Sequence, residues 1–208
     1  MRPGSTRCDP AVKPAGLVLA AGEGRRFGSP KAMLRLGADL LVDRAANTLH
    51  DAGCEPVVVV LGAGAADVVA AARLDRSIVV VNDAWADGMG SSLRCGLAAL
   101  ADLRAPAVVV TLVDQPLVTA QVVGRIIAEW QPGRSAVVAS YDGKPRNPVL
   151  LDASIWGEVS ASATGDVGAR GWLRAHPDEV LTVACDDLGS DTDIDTPEDL
   201  TQFLEDPT

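Results

Sequence analysis

Cysteines, aromatic residues and long apolar runs are all scarce in this sequence. Aromatic side chains account for 3% of its 208 residues. The four cysteines are far apart and form no C-x-x-C pair, which argues against a zinc or thioredoxin-like site and indicates free thiols in a reducing compartment. No uncharged segment approaches the roughly 20 residues that a membrane-spanning helix requires, so we expect no membrane partner.

Basic residues are missing from the C-terminal end of the chain. All 18 of them lie at or before Arg174, whereas the final 34 residues contain 11 of the 28 acids, and the net charge is -10. An acidic chain does not suit nucleic-acid binding, so we expect no nucleic-acid partner. Hydrophobic residues make up 48% of the chain, which is enough for a buried core, and the length favours one domain.

The N-terminal region has a short apolar stretch behind three basic residues. Arg2, Arg7 and Lys13 precede the stretch 15–21, which is at the minimum length for the core of a signal peptide. This stretch runs directly into a charged, glycine-rich loop, so we expect no secretion signal and a cytoplasmic protein. We expect residues 1–14 to form a flexible tail and residues 15–208 to form a single domain.

Apolar runs of strand length alternate with helical patterns along the chain. Helical spacing of apolar residues predicts helices over 42–52, 93–100, 122–130 and 197–204. The predicted N-caps are Ser91 or Ser92, Thr119 and Thr196. The predicted strands are 17–20, 57–61, 78–81, 107–113, 136–140, 149–151 and 180–184. This alternation predicts a three-layer α/β/α sandwich around a mainly parallel mixed sheet, with ligands at the carboxyl ends of the strands.

A loop rich in glycines and basic residues follows the first predicted strand. Its glycines at positions 22, 24 and 28 would let backbone N–H groups approach an anion closely. The loop lacks the Walker A spacing, and its glycines are one residue too wide for a dinucleotide fingerprint. Its basic residues form the densest basic cluster of the chain and favour a polyphosphate ligand. They are Arg25, Arg26, Lys31 and Arg35.

Two aspartates stand next to predicted secondary-structure elements, at places where a cation could bind. Asp114 comes directly after the strand predicted over 107–113, and Asp195 precedes the last helix. Mg²⁺ takes one or two carboxylates together with substrate phosphates, so this pair would suit one Mg²⁺ ion. Asp195 has the alternative role of favouring the N-terminus of the last helix.

The loop after the third predicted strand combines glycines and hydroxyls before a helix. Gly90, Ser91 and Ser92 would bind a base edge or a phosphate through backbone and hydroxyl groups. The loop lacks the G-x-S-x-G spacing of a hydrolase, and the chain has only two histidines. Nucleophilic hydrolysis is therefore not expected.

Six motifs follow one another between about Leu17 and Phe203. They are Leu19-Ala20-Ala21-Gly22 with Arg25, Gly28 and Lys31; Gly88-Met89-Gly90-x-Ser92-Leu93; Asp114-Gln115-Pro116; Asn147-Pro148-Val149-Leu150; Gly165-Asp166-x-Gly168-Ala169-Arg170; and Asp193-Ile194-Asp195-Thr196-Pro197-Glu198-Asp199. In this order the motifs resemble those of the molybdenum cofactor nucleotidyltransferases, which are MobA-like NTP transferases, and in particular their cytidylyltransferase branch.

The resemblance implies a nucleotide-diphospho-sugar transferase fold and a Mg²⁺-dependent transfer of CMP from CTP to the terminal phosphate of molybdopterin, with release of pyrophosphate. The Ala-Ala-Gly sequence implies CTP, since guanylyltransferases tend to have Ala-Gly-Gly. The resemblance further implies catalytic roles for Arg25, Lys31 and Asp114, and a metal site at Asp114 and Asp195. The implied nucleotide-binding residues are Leu19, Ala20, Ala21, Gly22, Gly24, Arg25, Lys31, Gly90, Ser91 and Ser92, and the implied acceptor pocket consists of Gln115, Asn147, Asp166 and Arg170.

Two other functions stay open. Nicotine blue oxidoreductase-like relatives share the Arg-Arg-Phe-Gly and Gly-Met-Gly-Ser-Ser loops, which implies an NAD(P)H-dependent oxidoreductase as the alternative. A non-catalytic protein that binds and inserts the molybdenum cofactor is another alternative. Arg146 stands where relatives usually have glycine, so we expect it to alter the acceptor pocket. The expected partners are small-molecule substrates and, as a candidate, a molybdoenzyme, with the chain as a monomer or homodimer.

Overall fold

The computed structural model describes residues 13–131 and 133–205. Residues 1–12, with most of the expected tail and Cys8, lie outside the described residues. The described residues form nine strands, which are β1 Ala15–Ala20, β2 Arg35–Leu36, β3 Asp39–Leu40, β4 Val57–Leu61, β5 Ile78–Val81, β6 Ala107–Leu112, β7 Ala136–Tyr141, β8 Lys144–Asp152 and β9 Val180–Ala184. The same part of the chain forms seven α-helices, which are α1 Leu41–Asp51, α2 Ala65–Ala71, α3 Met89–Asp102, α4 Ala120–Glu129, α5 Trp156–Ser162, α6 Arg170–Ala175 and α7 Pro197–Glu205.

Seven strands form one mixed sheet in the order β5-β4-β1-β6-β8-β7-β9. Only β8, among the strands of this sheet in the described residues, runs antiparallel to its neighbours, β6 and β7. The other neighbours pair in parallel, and β2 and β3 form a separate hairpin. The predicted α/β sandwich with a mainly parallel mixed sheet is therefore confirmed.

The sheet carries a hydrophobic cluster on each face. One cluster contains apolar residues of α1, α2 and α4, and residues of α7 pack against it. The other contains apolar residues of α3, α5 and α6. Every residue of β1, β4 and β6 is buried, as expected for central parallel strands that helices cover on both sides. None of the helices in the described residues is long and apolar enough to cross a membrane.

The predicted strands and the four predicted helices are all present, with one wrong helix start, whereas α2, α5, α6 and the β2–β3 hairpin were not predicted. Thr119 and Thr196 each accept a backbone N–H at the start of their helix, which confirms these two N-caps. The prediction for α3 was wrong because this helix begins at Met89 and has Gly88 at its N-cap position. Ser91 and Ser92 lie inside the helix, where their hydroxyls bind Asn82 instead of capping.

Candidate functional site

A cleft of about 530 Å³ opens at the carboxyl ends of β1 and β6, where parallel sheets usually bind ligands. Its walls come from the loop after β1, the turn before α3, the end of β6 and the segment at Gly165 and Asp166. It is lined by nine of the predicted site residues: Leu19, Ala21, Gly22, Gly24, Arg25, Lys31, Ser92, Asp114 and Asp166.

The loop after β1 folds tightly around Gly24. This residue has φ +64°, and a Cβ at this position would lie 2.0 Å from the Ser29 carbonyl oxygen, so only glycine fits here. The N–H groups of Phe27 and Gly28 donate to the Gly24 carbonyl at 2.8 and 3.0 Å. The neighbouring Arg25 side chain is exposed and pairs with Glu23 at 2.9 Å, which raises the pKa of the guanidinium.

Lys31 bridges the two aspartates that the sequence singled out. Its Nζ donates to Asp114 Oδ2 at 2.7 Å and to Asp195 Oδ1 at 2.6 Å. Burial of this side chain would lower the pKa of Lys31, but the charges and hydrogen bonds of the two carboxylates outweigh that effect and raise it. Three residues from distant parts of the sequence thus form one charged cluster, in which Lys31 and Asp114 line the cleft and Asp195 lines an adjoining pocket that shares Lys31 and Arg25 with it.

A backbone contact brings the two carboxylates together. The Ile194 N–H donates to the Asp114 carbonyl at 2.8 Å, and the Ile194 side chain is fully buried. The N–H groups of Asp195 and Thr196 donate to the carboxylate of Asp199. Asp199 therefore accepts hydrogen bonds at the N-terminus of α7, while the Asp195 carboxylate binds Lys31.

The cluster has the composition of a two-carboxylate cation site. Two carboxylates converge on a single positive group, the Lys31 ammonium, so their geometry is compatible with one shared cation. In the part of the chain that the structure describes, no group of three or more acidic, histidine or cysteine side chains could hold a metal. A cation at this place would need further ligands, and Mg²⁺ commonly obtains them from substrate phosphates and water. The residues present therefore fit a nucleotide-bound Mg²⁺ ion.

Gly90 and Ser91 do not line the cleft but help to shape it. Ser91 is buried, and its Oγ lies 2.8 Å from the carbonyl oxygens of Ala84 and Gly88, either of which accepts its single hydroxyl hydrogen. The Gly90 N–H donates to the Gly165 carbonyl at 2.7 Å. These contacts attach the start of α3 to the two segments that form the cleft wall. Ala20 also lies outside the lining because its side chain is buried in the core.

The four residues expected in the acceptor pocket do not form one group. Asp166 lines the cleft and its Oδ1 accepts the Met89 N–H at 3.3 Å. Asn147 and Arg170 line a small adjoining pocket that shares Leu19 and Met89 with the cleft. Gln115 is buried elsewhere, and its Nε2 donates to the Asp191 carbonyl.

Arg146 lies on the other face of the sheet from Asn147. It pairs in register with Ala139, whose side chain belongs to the core on the α1 and α4 side. Its Nε donates to Asp191 Oδ2 at 2.8 Å. Arg146 is not among the residues lining the small pocket of Asn147, so the expectation that it would alter that pocket is not supported by this arrangement.

Trp85 lines the cleft and was missed by the sequence reasoning. It lies in a short 3₁₀ turn, Trp85–Asp87, between β5 and α3. It is the single aromatic residue among the described residues that line the cleft. The sequence contained one signal for it. Trp85 stands in a glycine-rich loop, although only 3% of the residues are aromatic.

Residues 16–186 match the model of the MobA-like NTP transferase domain. The nicotine blue oxidoreductase of Paenarthrobacter nicotinovorans is 41% identical over 197 residues, which cover 91% of this chain and 95% of that protein. A probable molybdenum cofactor guanylyltransferase of Opitutus terrae is 36% identical over 130 residues, 62% of this chain and 61% of that one.

The solved structure of Rv0371C in complex with manganese, from Mycobacterium tuberculosis H37Rv, has a similar fold. It is 30% identical, covers 93% of this chain and 98% of its own, and has a TM-score of 0.76. Together with the match over residues 16–186, this likeness extends over the sheet, the loop after β1 and the turn before α3. The chain therefore belongs to the MobA-like NTP transferase family and has a domain of the nucleotidyltransferase type.

Proposed function

We propose that this protein transfers CMP from CTP to the terminal phosphate of molybdopterin and releases pyrophosphate. One observation carries the proposal: Lys31 bridges Asp114 and Asp195 at the cleft beside the glycine loop. This places a cation and two potential metal ligands together where a polyphosphate would bind. The family match and the relative named a probable molybdenum cofactor guanylyltransferase support the reaction class and the acceptor.

The reaction needs little acid–base chemistry from the protein. An oxygen of the acceptor phosphate attacks the α-phosphorus of CTP, and the bond from that phosphorus to the oxygen bridging to the β-phosphate breaks. Pyrophosphate leaves with the bond electrons. A phosphate monoester is already anionic, so no general base is required, and positioning and charge neutralisation provide the catalysis.

Charged side chains and backbone N–H groups of the cleft would bind the phosphates and neutralise their charge. Arg25 is exposed and, once released from Glu23, is able to bind phosphate oxygens in a bidentate manner. Lys31 would neutralise the charge that develops on the leaving pyrophosphate. The backbone N–H groups of Gly22 and Gly24 would face the phosphates along the cleft wall.

Asp114 and Asp195 would hold the divalent metal. A bound Mg²⁺ would supply charge neutralisation for the phosphates. The manganese complex of the related solved structure supports a divalent metal in this family. Lys31 would have to move off the carboxylates, towards the phosphates, when metal and nucleotide bind together.

A pyrophosphate-release assay with CTP or GTP, Mg²⁺ and molybdopterin tests the proposal. We expect release with CTP, slower release with GTP, and a loss of about 10²- to 10³-fold in Asp114→Ala, as for other groups that stabilise transition-state charge. Asp102→Ala is the control, because Asp102 is exposed at the far end of α3. No release by the parent protein with either nucleotide would refute the proposal.

A second candidate is an NAD(P)H-dependent oxidoreductase, because the relative that is 41% identical over 91% of this chain is named a nicotine blue oxidoreductase. This candidate predicts a change of nicotinamide fluorescence on binding and oxidation of NAD(P)H by a quinonoid dye. A cofactor-insertion protein that acts with a molybdoenzyme would instead bind CTP and molybdopterin without releasing pyrophosphate.

We further propose that residues 15–208 act as one domain in the cytoplasm on small-molecule substrates. The family match covers 16–186, and α7 packs against the same core through Leu200 and Phe203. The three described cysteines, Cys54, Cys95 and Cys185, are free thiols, which agrees with a reducing compartment.

A further inference from the structure

We infer that Trp85 stacks on the base of the nucleotide and so provides the part of the binding energy that does not come from the phosphates. The inference rests on the proposed binding of a nucleoside triphosphate in the cleft, and it adds a positioning residue that the sequence motifs do not identify. Four observations support it.

The first observation is the position of Trp85. It lines the cleft together with Ala21 and Gly22, at the end of the cleft wall formed by the turn before α3. The charged cluster of Lys31 and Asp114 lines the same cleft. A triphosphate bound at that cluster would have its nucleoside end free to reach other parts of the cleft wall, where Trp85 offers a flat apolar surface.

The second observation is the close contact between Trp85 and the backbone. A Cβ at Gly62 would lie 2.5 Å from Trp85 Cβ and 2.7 Å from the Ala21 carbonyl oxygen. Because Gly62 has no side chain, the Trp85 Cβ lies directly against the backbone at the end of β4, next to the loop after β1. This contact limits the movement of Trp85 and lowers the entropy that it would lose on binding.

The third observation is the hydrogen bonding of the turn. The Trp85 N–H donates to the Asn82 carbonyl at 3.3 Å, and the Gly88 N–H donates to the Trp85 carbonyl at 3.1 Å. The Asn82 side chain in turn donates to Ser91 and Ser92 within α3. The turn is thus held from both ends, which fixes the backbone that carries the indole before a ligand arrives.

The fourth observation distinguishes Trp85 from the other three tryptophans. Trp130, Trp156 and Trp172 each donate their indole N–H to a protein acceptor at 2.9 to 3.1 Å. Trp85 has no such acceptor among residues 13–131 and 133–205. Trp85 also packs against the hydrophobic cluster on the α3, α5 and α6 side, but it is only half-buried, lines the cleft and keeps its N–H donor available.

Stacking on an aromatic side chain tolerates every base, because each base has a π-face. Trp85 would therefore strengthen the binding of both CTP and GTP. The choice between them would depend on hydrogen bonds to the base edge. Stacking on Trp85 would therefore provide affinity for any base, whereas hydrogen bonds to the base edge would provide selectivity for one base.

Calorimetry with CTP and with inorganic tripolyphosphate, both with Mg²⁺, tests the inference. We expect Trp85→Ala to raise the Kd for CTP about 5- to 150-fold, the effect of losing one stacked base, and to leave the Kd for tripolyphosphate unchanged. Trp85→Phe should keep most of the CTP affinity, whereas Trp85→Leu, which is apolar but has no ring, should behave like Trp85→Ala. Equal melting temperatures would show that these variants are folded.

Fluorescence provides a second readout with a matched control. CTP should quench the tryptophan emission of the parent and of Trp130→Phe, and the quenching should disappear in Trp85→Phe. If Trp85→Ala binds CTP like the parent, or weakens CTP and tripolyphosphate equally, the stacking role is wrong although the transferase stands. If the parent binds no nucleoside triphosphate, the proposed function fails and the stacking role fails with it.

Discussion

The Lys31 ammonium lies between the carboxylates of Asp114 and Asp195, 2.7 Å from the first and 2.6 Å from the second. Without nucleotide, this ammonium neutralises the charge that a metal ion would otherwise neutralise. A metal ion bound by Asp114 and Asp195 would therefore compete with Lys31 for the same two carboxylates until phosphates attracted Lys31 away. Under the proposed function, this relationship would link nucleotide binding to metal binding.

The first prediction concerns that competition. Lys31→Ala should bind Mn²⁺ about tenfold more tightly than the parent when no nucleotide is present, because two carboxylates lose their positive partner. The same variant should release pyrophosphate about 10²- to 10³-fold more slowly, because one stabilising cation is missing from the reaction. Electron paramagnetic resonance of free Mn²⁺ measures the first effect.

Arg25→Ala is the matched control for the Mn²⁺ measurement. Arg25 lines the same cleft but pairs with Glu23 and not with the two aspartates. Its removal should leave the affinity for Mn²⁺ alone unchanged. Equal Mn²⁺ affinities in the parent and in Lys31→Ala would contradict the competition.

The second prediction concerns two helical glycines with opposite surroundings. A Cβ at Gly90 would lie 2.8 Å from the backbone carbon and oxygen of Ala163, whereas a Cβ at Gly124 would meet nothing within 4 Å. Gly90→Ala should therefore lower the free energy of unfolding by about 1–3 kcal/mol. Gly124→Ala should raise it by about 0.5–1 kcal/mol, because alanine favours the helix. Denaturant unfolding measures both, and the same sign for the two variants would be inconsistent with this packing.

The third prediction concerns the acceptor side of the cleft. Arg146→Gly removes an exposed ion pair with Asp191 on the face away from Asn147, so the KM for molybdopterin should stay the same. The free energy of unfolding should change by no more than about 1 kcal/mol. Asn147→Ala, which alters the small pocket itself, should raise that KM. A raised KM in Arg146→Gly would show that the acceptor extends to the other face.

The fourth prediction concerns pH. Burial and the charge of Arg76 lower the pKa of His50, whose Nε2 lies 3.1 Å from Ser77 Oγ. In the unfolded chain His50 titrates near its ordinary value of about 6.5, so the unfolded chain takes up a proton at a higher pH than the folded chain does. The contribution of His50 to stability is therefore complete above about pH 6.5 and is lost as the pH falls below that value.

His50→Gln isolates this effect, because glutamine does not titrate and still offers polar atoms to Ser77. The melting temperature of the parent should fall more between about pH 7.5 and pH 5.5 than that of His50→Gln, since only the parent carries the His50 titration. Parallel pH profiles of the two proteins would show that His50 is not responsible.

Most of the fold followed from local patterns. The predicted strand over 57–61 is β4 with the same bounds, because four consecutive valines suit a strand that is buried on both faces. The short helices α2, α5 and α6 were missed, since helices of six or seven residues have too few turns to show a clear apolar period. The start of α3 was misplaced because hydroxyl residues that resemble caps bind Asn82 instead.

Only part of the candidate site could be predicted from such local patterns. Sequence reasoning named Lys31, Asp114 and Asp195, because charged residues at strand ends and before a helix are recognisable without coordinates. It did not identify Trp85, since one aromatic residue in a loop has no pattern that separates stacking from packing. It also grouped Gln115 with Asn147, although the Gln115 side chain is buried elsewhere.

By itself, the sequence determined the layered α/β fold, the glycine loop and the charged residues, because each of these depends on residue types over short distances along the chain. Only the tertiary structure placed Lys31 between two aspartates that are 83 and 164 positions away from it, and attached Trp85 to Gly62 beside the cleft. Such contacts depend on strand order and on the packing of loops, and the distance between two residues along the chain does not reveal them.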